Sequence, residues 1–139
     1  MISKISLAEV EEIAFVLAKK IMEWDEPLPP FTTRFLGKLE SCLDQPFLSF
    51  DGKQLYPTLV DKAAILFYLM NKNHPFENGN KRLAVTTLLV FLFKNDLWLD
   101  TGVDSLYKFA KSVAASAANE KEQTIISIKA FISNAITKQ

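Results

Sequence analysis

The 139 residues contain a single cysteine and a single histidine. Cys42 alone cannot form an internal disulfide, and without sulfur partners it offers no cysteine-based metal site. Its apolar-rich surroundings suit a small buried core residue. Net charge is missing too, because sixteen basic and sixteen acidic residues cancel. No global field then draws the chain to nucleic acid, so phosphate binding must come from a local site. The longest mainly apolar stretches, residues 63–70 and 83–93, adjoin charged residues. Both fall well short of the roughly 20 residues that span a bilayer. The opening MISKISLAEVEE turns acidic before any apolar run, unlike a secretory leader. A cytoplasmic protein with no membrane attachment and no direct nucleic-acid contact is the simplest expectation. There is no Walker A loop, no GxGxxG, no internal repeat and no low-complexity segment.

What is there reads as helix. The chain is 49% apolar and 23% charged, an ordinary globular balance that predicts one domain over residues 1–139. Ser6 followed by Glu9 forms a capping box that opens a helix towards Met22. Leu7, Val10, Ile13, Ala14, Leu17, Ala18 and Ile21 fall on its apolar face. Glu26-Pro27-Leu28-Pro29-Pro30 stops it, since proline cannot donate to a helix. A second helix is predicted from Thr33 to Leu43. Phe47–Tyr56 differs: two short runs flank Asp51-Gly52, a two-residue hairpin signal and the one convincing β element. Thr58, with Asp61 three residues on, opens a third helix reaching about Asn71. A fourth runs from near Asn80 to Asn95-Asp96 and is apolar on most sides, from Leu83 to Phe93, as the buried centre of a bundle would be. Helices near Ser105–Ala118 and Glu120–Ile136 complete an all-α fold with a small β-hairpin. Trp24, Trp98 and the many Phe residues are assigned to packing rather than to base stacking.

The chemistry concentrates in Asn73-His74-Pro75-Phe76-Glu77-Asn78-Gly79-Asn80-Lys81-Arg82, between two apolar helices. Imidazole is the side chain suited to proton exchange near neutral pH, and His74 is the sole one. Gly79 permits a positive φ and close approach of a ligand. The helix that follows presents amides without internal acceptors, and with Lys81 and Arg82 they form a phosphate cradle. A base beside such a cradle suggests transfer of a phosphorus-containing group to a hydroxyl. A lone loop histidine serves packing or hydrogen bonding as readily. Yet a Lys-Arg pair at a helix start opposes the dipole, a placement that an anionic ligand would offset.

HPFENGNKR, together with YPTLVDKAA before it and FLGKLES from Phe35, resembles the signature of the Fic/Doc family over about residues 30–100. The Fic branch reads HxFx[D/E]GNGRxxR, and the Doc (death-on-curing) branch carries Lys in place of the second Gly; Lys81 puts this chain on the Doc side. The resemblance implies a compact helical fold with a β-hairpin flap. It also implies a transferase in which His74 is the general base and Phe76 anchors the loop. Gly79 and Asn80 would shape the nest for the nucleotide phosphates, and Lys81 and Arg82 would bind them and stabilise the transferred group. Phe50, Asp51, Gly52 and Lys53 would hold a target segment by strand addition, although a purely structural hairpin fits these residues equally. ATP would be the co-substrate, with Mg²⁺. By the same resemblance the chain is a toxin with a cognate antitoxin that occludes the nucleotide site. Its target would be a protein Ser or Thr hydroxyl, with elongation factor Tu the natural candidate.

Two departures bear on the reaction. Asn78 stands where the family commonly has a metal-binding acid, and Glu77 lies one place earlier. Asn offers Mg²⁺ an oxygen but no charge. The second Arg of the Fic signature falls on Val85, which cannot grip a phosphate. That favours transfer of the terminal phosphate over transfer of AMP. Protein adenylylation and a catalytically idle phosphate-binding module are the alternatives. Ser116 and Glu120 match part of an inhibitory [S/T]xxxE[G/N] motif, but Lys121 breaks it and ordinary helix composition explains them.

Overall fold

Reciprocal bonds at Ser6 open the first helix in the computed structural model, which describes residues 1–22 and 27–138. Ser6 Oγ accepts from the Glu9 amide at 3.1 Å, and Glu9 Oε1 accepts from the Ser6 amide at 2.9 Å. Helix α1 covers residues 7–20, as Leu7–Glu9, a π-helical Val10–Ala14 and Phe15–Lys20. A π turn carries an extra residue, so it rotates everything after it. Val10, Ala14, Phe15 and Ala18 are therefore buried, whereas Ile13, expected on the inner face, is 49% exposed. Trp24 and Glu26 lie outside the described residues.

The second helix starts later than its sequence suggests. Phe31–Thr33 is a short 3₁₀ turn, and Gly37, at φ +82°, precedes α2, Lys38–Asp44. Leu39, Cys42 and Leu43 face the core. Burial pushes the Cys42 thiol up to about 12, as expected of an inert packing residue. Next comes the hairpin, with β1 at Ser49–Phe50 and β2 at Lys53–Gln54, antiparallel and with Phe50 opposite Lys53. Asp51 and Gly52 take φ of +53° and +77°, the pair of positive values that a type I′ turn needs.

Helix α3, Leu59–Lys72, is capped by Thr58 and Asp61 through bonds of 3.0 and 3.3 Å. Helix α4, Asn80–Lys94, is the bundle centre, with Leu83 to Leu92 all buried. It packs against α1, α3 and α5, Val103–Ala115, while α3 also packs on α6, Lys121–Ala135. Phe67, Phe109 and Phe131 stack across α3, α5 and α6 with centroids 6.1 and 4.3 Å apart. The architecture is all-α, with six α-helices among the described residues. A second two-stranded sheet joins β3, Leu97–Leu99, to β4, Ile136–Lys138. The hairpin is thus not the one β element, and the last helix stops at Ala135. Phe93 at the end of α4 is 58% exposed and meets Trp98, itself 38% exposed, edge to face. These two rings line an open apolar groove with Ile13, Leu17, Leu89 and Val90 rather than entering the core. No helix among the described residues is long and apolar enough to cross a membrane.

Candidate active site

The loop between α3 and α4 is fastened from below. Phe76 is fully buried, and its ring lies 5.9 Å from those of both Phe15 and Phe31. Asn80 then clamps the backbone of that residue. Its Oδ1 accepts from the Phe76 amide at 3.0 Å and its Nδ2 donates to the Phe76 carbonyl at 2.8 Å. On the other side, the Phe35 amide donates to the Pro75 carbonyl at 3.0 Å. A loop held by the ring and backbone of Phe76 and by the Pro75 carbonyl has little freedom left for its side chains.

His74 is the first of those. Asn73 ends α3 by donating to the Leu69 carbonyl, and His74 follows with φ +46°. That left-handed position after a helix normally falls to Gly or Asn, because a Cβ crowds the backbone there. His74 takes that backbone conformation with its side chain exposed, at a strain of a kind that clusters at functional sites. The imidazole lines a recess with Gly37, Lys38, Ser41, Lys72 and Asn73. Lys72 is anchored, donating to the Ala114 and Ser116 carbonyls at 3.1 and 2.5 Å.

Gly79 is the second. It takes φ +75° and accepts from the Leu83 amide at 2.9 Å. An added Cβ would lie 2.4 Å from Leu28 Cδ2, so the close approach that glycine permits is filled here by a leucine. Its cap residue, Gly79, has no side chain to offer the first amides of α4. The first amides of a helix lack intrahelical acceptors and favour anions. Lys81 is half-buried beside that helix end. Arg82 runs inward instead: it is 4% exposed, and its Nε donates to the Ile21 carbonyl at 3.1 Å. The phosphate role that its place in the sequence suggests would therefore fall to a guanidinium already anchored on the backbone.

Glu77 and Asn78 are exposed on the same loop. Among the described residues no group of three or more His, Cys, Asp or Glu side chains could hold a metal ion. An all-protein cage is therefore absent from that set. Mg²⁺ commonly takes one or two protein oxygens and the rest of its ligands from a nucleotide and water, a donor type that Glu77 and Asn78 would supply.

His74, Glu77, Asn78, Gly79, Asn80 and Lys81 thus lie together on one loop and the helix end that follows it. The hairpin residues Phe50–Lys53 belong to a different segment of the chain. Phe50 is 75% exposed. Ser116 and Glu120 are spent on local capping: Ser116 Oγ donates to the Val113 carbonyl, and Glu120 Oε1 accepts from the Ala117 amide.

Lys62 escaped the sequence reading. It is 2% exposed, and its ammonium donates to the carbonyls of Pro46 (3.2 Å) and Tyr56 and to Gln54 Oε1 (2.6 Å), at 4.9 Å from the Phe47 ring centroid. The one available signal was a lysine directly preceding the apolar run Ala63-Ala64-Ile65-Leu66, where a charge needs internal partners.

Comparison with known proteins follows the same lines. The model of the Fic/DOC family matches residues 4–92, reaching further towards the N-terminus than the motif-bearing segment. Toxin Doc of Mycolicibacterium smegmatis (strain ATCC 700084 / mc(2)155) is 35% identical over 71 residues, which are 51% of this chain and 55% of that relative. The chain therefore spans about half the length of the curated relative it matches. No solved structure matches it.

Proposed function

Because the chain belongs to the Fic/DOC family, we propose that it is a Doc-like toxin that moves the terminal phosphate of ATP to a Ser or Thr hydroxyl of a protein. The observation that carries this reading is the pairing of an exposed, strained His74 with the glycine-capped start of α4 one short loop away. The hydroxyl proton passes to the imidazole of His74 as the oxygen attacks the terminal phosphorus. The bond from that phosphorus to the β-phosphate oxygen breaks, and ADP leaves with the electron pair. Amides at the start of α4, Lys81 and Arg82 hold the phosphates and the charge that spreads over the transferred group. Asn78, with Glu77, would hold the Mg²⁺ that accompanies ATP, which supplies charge neutralisation.

Terminal-phosphate transfer is preferred over AMP transfer because Val85, at the place of the Fic branch's second Arg, is fully buried within α4. An apolar side chain turned into the core gives no grip on outer phosphates. An idle phosphate-binding module is the second reading, favoured by Asn78 in place of an acid. The toxin reading further includes a cytoplasmic location, a cognate antitoxin that covers the nucleotide site, and a translation factor such as elongation factor Tu as target. The test is ATP labelled separately at the α and γ positions. Label on the protein target from the γ position supports the proposal; label from the α position replaces it with adenylylation.

The cradle itself can be tested by splitting its two cations. Lys81→Ala should weaken ATP binding about tenfold with the melting temperature nearly unchanged, since its side chain bonds to no buried group. Arg82→Ala should weaken binding and also lose about 1–3 kcal/mol of stability, because the Ile21 carbonyl loses its donor. Calorimetry on the two variants, with Arg34→Ala as a control, reads both effects. Equal ATP affinity in all three would remove the phosphate cradle.

A further inference from the structure

The hairpin at residues 49–54 has no means of holding its own position. Each strand is two residues long and fully exposed, and an isolated hairpin of that size is marginal in water. Yet its ends are pinned to the core at one point. Pro46 lies just before the hairpin, Gln54 within β2 and Tyr56 just after it, and all three bond to the same ammonium, that of Lys62 on α3. Three donors meet three acceptors, so the charge is buried without an unmet proton. Phe47, over whose ring that ammonium lies, is itself held edge to face on Phe91 of α4 at 6.4 Å. Burial pushes the Lys62 ammonium's pKa down, and Asp61 beside it partly opposes that. A charge kept at such cost between two chain ends acts as a clamp. An apolar residue at this place would satisfy the core better and leave the hairpin untied.

We propose that Lys62 is a positioning residue for capture of the protein target, clamping both ends of the 48–55 hairpin so that its exposed edge stands ready for strand addition. The partner it serves is an extended polypeptide segment, which gains affinity from main-chain bonds only if the edge is already ordered. The kinetic half of this inference rests on the proposed phosphate transfer; the structural half does not.

Lys62→Met keeps the length and apolar stem and removes the ammonium. Hydrogen exchange should show the amides of residues 48–55, Leu55 in particular, exchanging about tenfold faster, with α4 amides changed by less than about twofold. In transfer assays the KM for the protein target should rise about tenfold, with kcat within about threefold and ATP affinity unchanged. Gln54→Ala removes one surface partner of the clamp without touching the core. It should give a smaller shift of the same kind, and it keeps the test available if Lys62→Met folds poorly. Unchanged protection at Leu55 would overturn the proposal. So would equal loss of protection in the hairpin and α4, which would make Lys62 a general core residue. Absence of transfer in the wild-type protein would sink the proposed function, while the exchange measurement would still decide the clamp.

Discussion

His74→Ala should lose about 10² to 10⁴ in single-turnover transfer, the usual cost of removing a general base, with its melting temperature held. The stability half of that expectation comes from the backbone. Alanine inherits the positive φ of +46° and its Cβ crowding, so it gains nothing there, and the exposed imidazole it replaces takes no packing with it. His74→Gly separates the two roles further. It should be equally inactive but more stable by about 1 kcal/mol, because glycine relieves the left-handed strain of order 1–2 kcal/mol and gives back part of that in chain entropy. Single-turnover assays and thermal melts on the two variants check both halves. Wild-type activity in either variant would remove His74 as base. A less stable glycine variant would show that the imidazole holds the loop, which is a packing role.

Phe76→Ala should cost about 3–5 kcal/mol, the usual range for emptying a buried aromatic site, and a large share of the 5–15 kcal/mol typical of a domain. The ring touches Phe15 and Phe31, whose own rings lie 5.6 Å apart. Its loss therefore opens a cavity bounded by rigid partners that cannot collapse into it. Transfer should fall as well, at a temperature where the variant is still folded, because the backbone that Asn80 clamps is that of Phe76. Leu106→Ala, in a fully buried site on α5, is the control: a stability loss of about 2–5 kcal/mol with transfer retained. Denaturant melts and transfer rates on both variants separate anchoring from bulk stability. Equal loss of transfer in both would mean that the loop depends only on global packing.

Features written into a few neighbouring residues were legible in the sequence. The capping boxes at Ser6 and Thr58 and the Asp51-Gly52 turn rest on bonds and dihedrals within three or four residues. The burial of α4 followed from a helix apolar on nearly every side. Features set by distant partners were not legible. The pairing of Leu97–Leu99 with Ile136–Lys138 spans some forty residues, and neither short run advertises a partner. The π turn in α1 moved Ile13 out of the core and Phe15 into it, a shift of phase that periodicity alone does not carry. At the site, the run from His74 to Lys81 was readable as one unit because it is contiguous. Three properties of it depend on the fold: the left-handed backbone of His74, the leucine packed on Gly79, and the inward course of Arg82 to Ile21. Lys62 was hidden for the same reason, since its acceptors arrive from 6 to 16 residues away.

In the proposed reaction, this loop and helix end transfer a phosphorus-containing group from ATP to a protein hydroxyl. Intact-mass analysis of a candidate target, such as elongation factor Tu, after incubation with the protein, ATP and Mg²⁺ tests it most directly. The predicted result is a mass gain of about 80 Da, one phosphate, that vanishes with His74→Ala. A gain of about 329 Da would mean AMP transfer instead. No gain on any target, from a protein that calorimetry shows to bind ATP, would contradict the transfer and leave a phosphate-binding module.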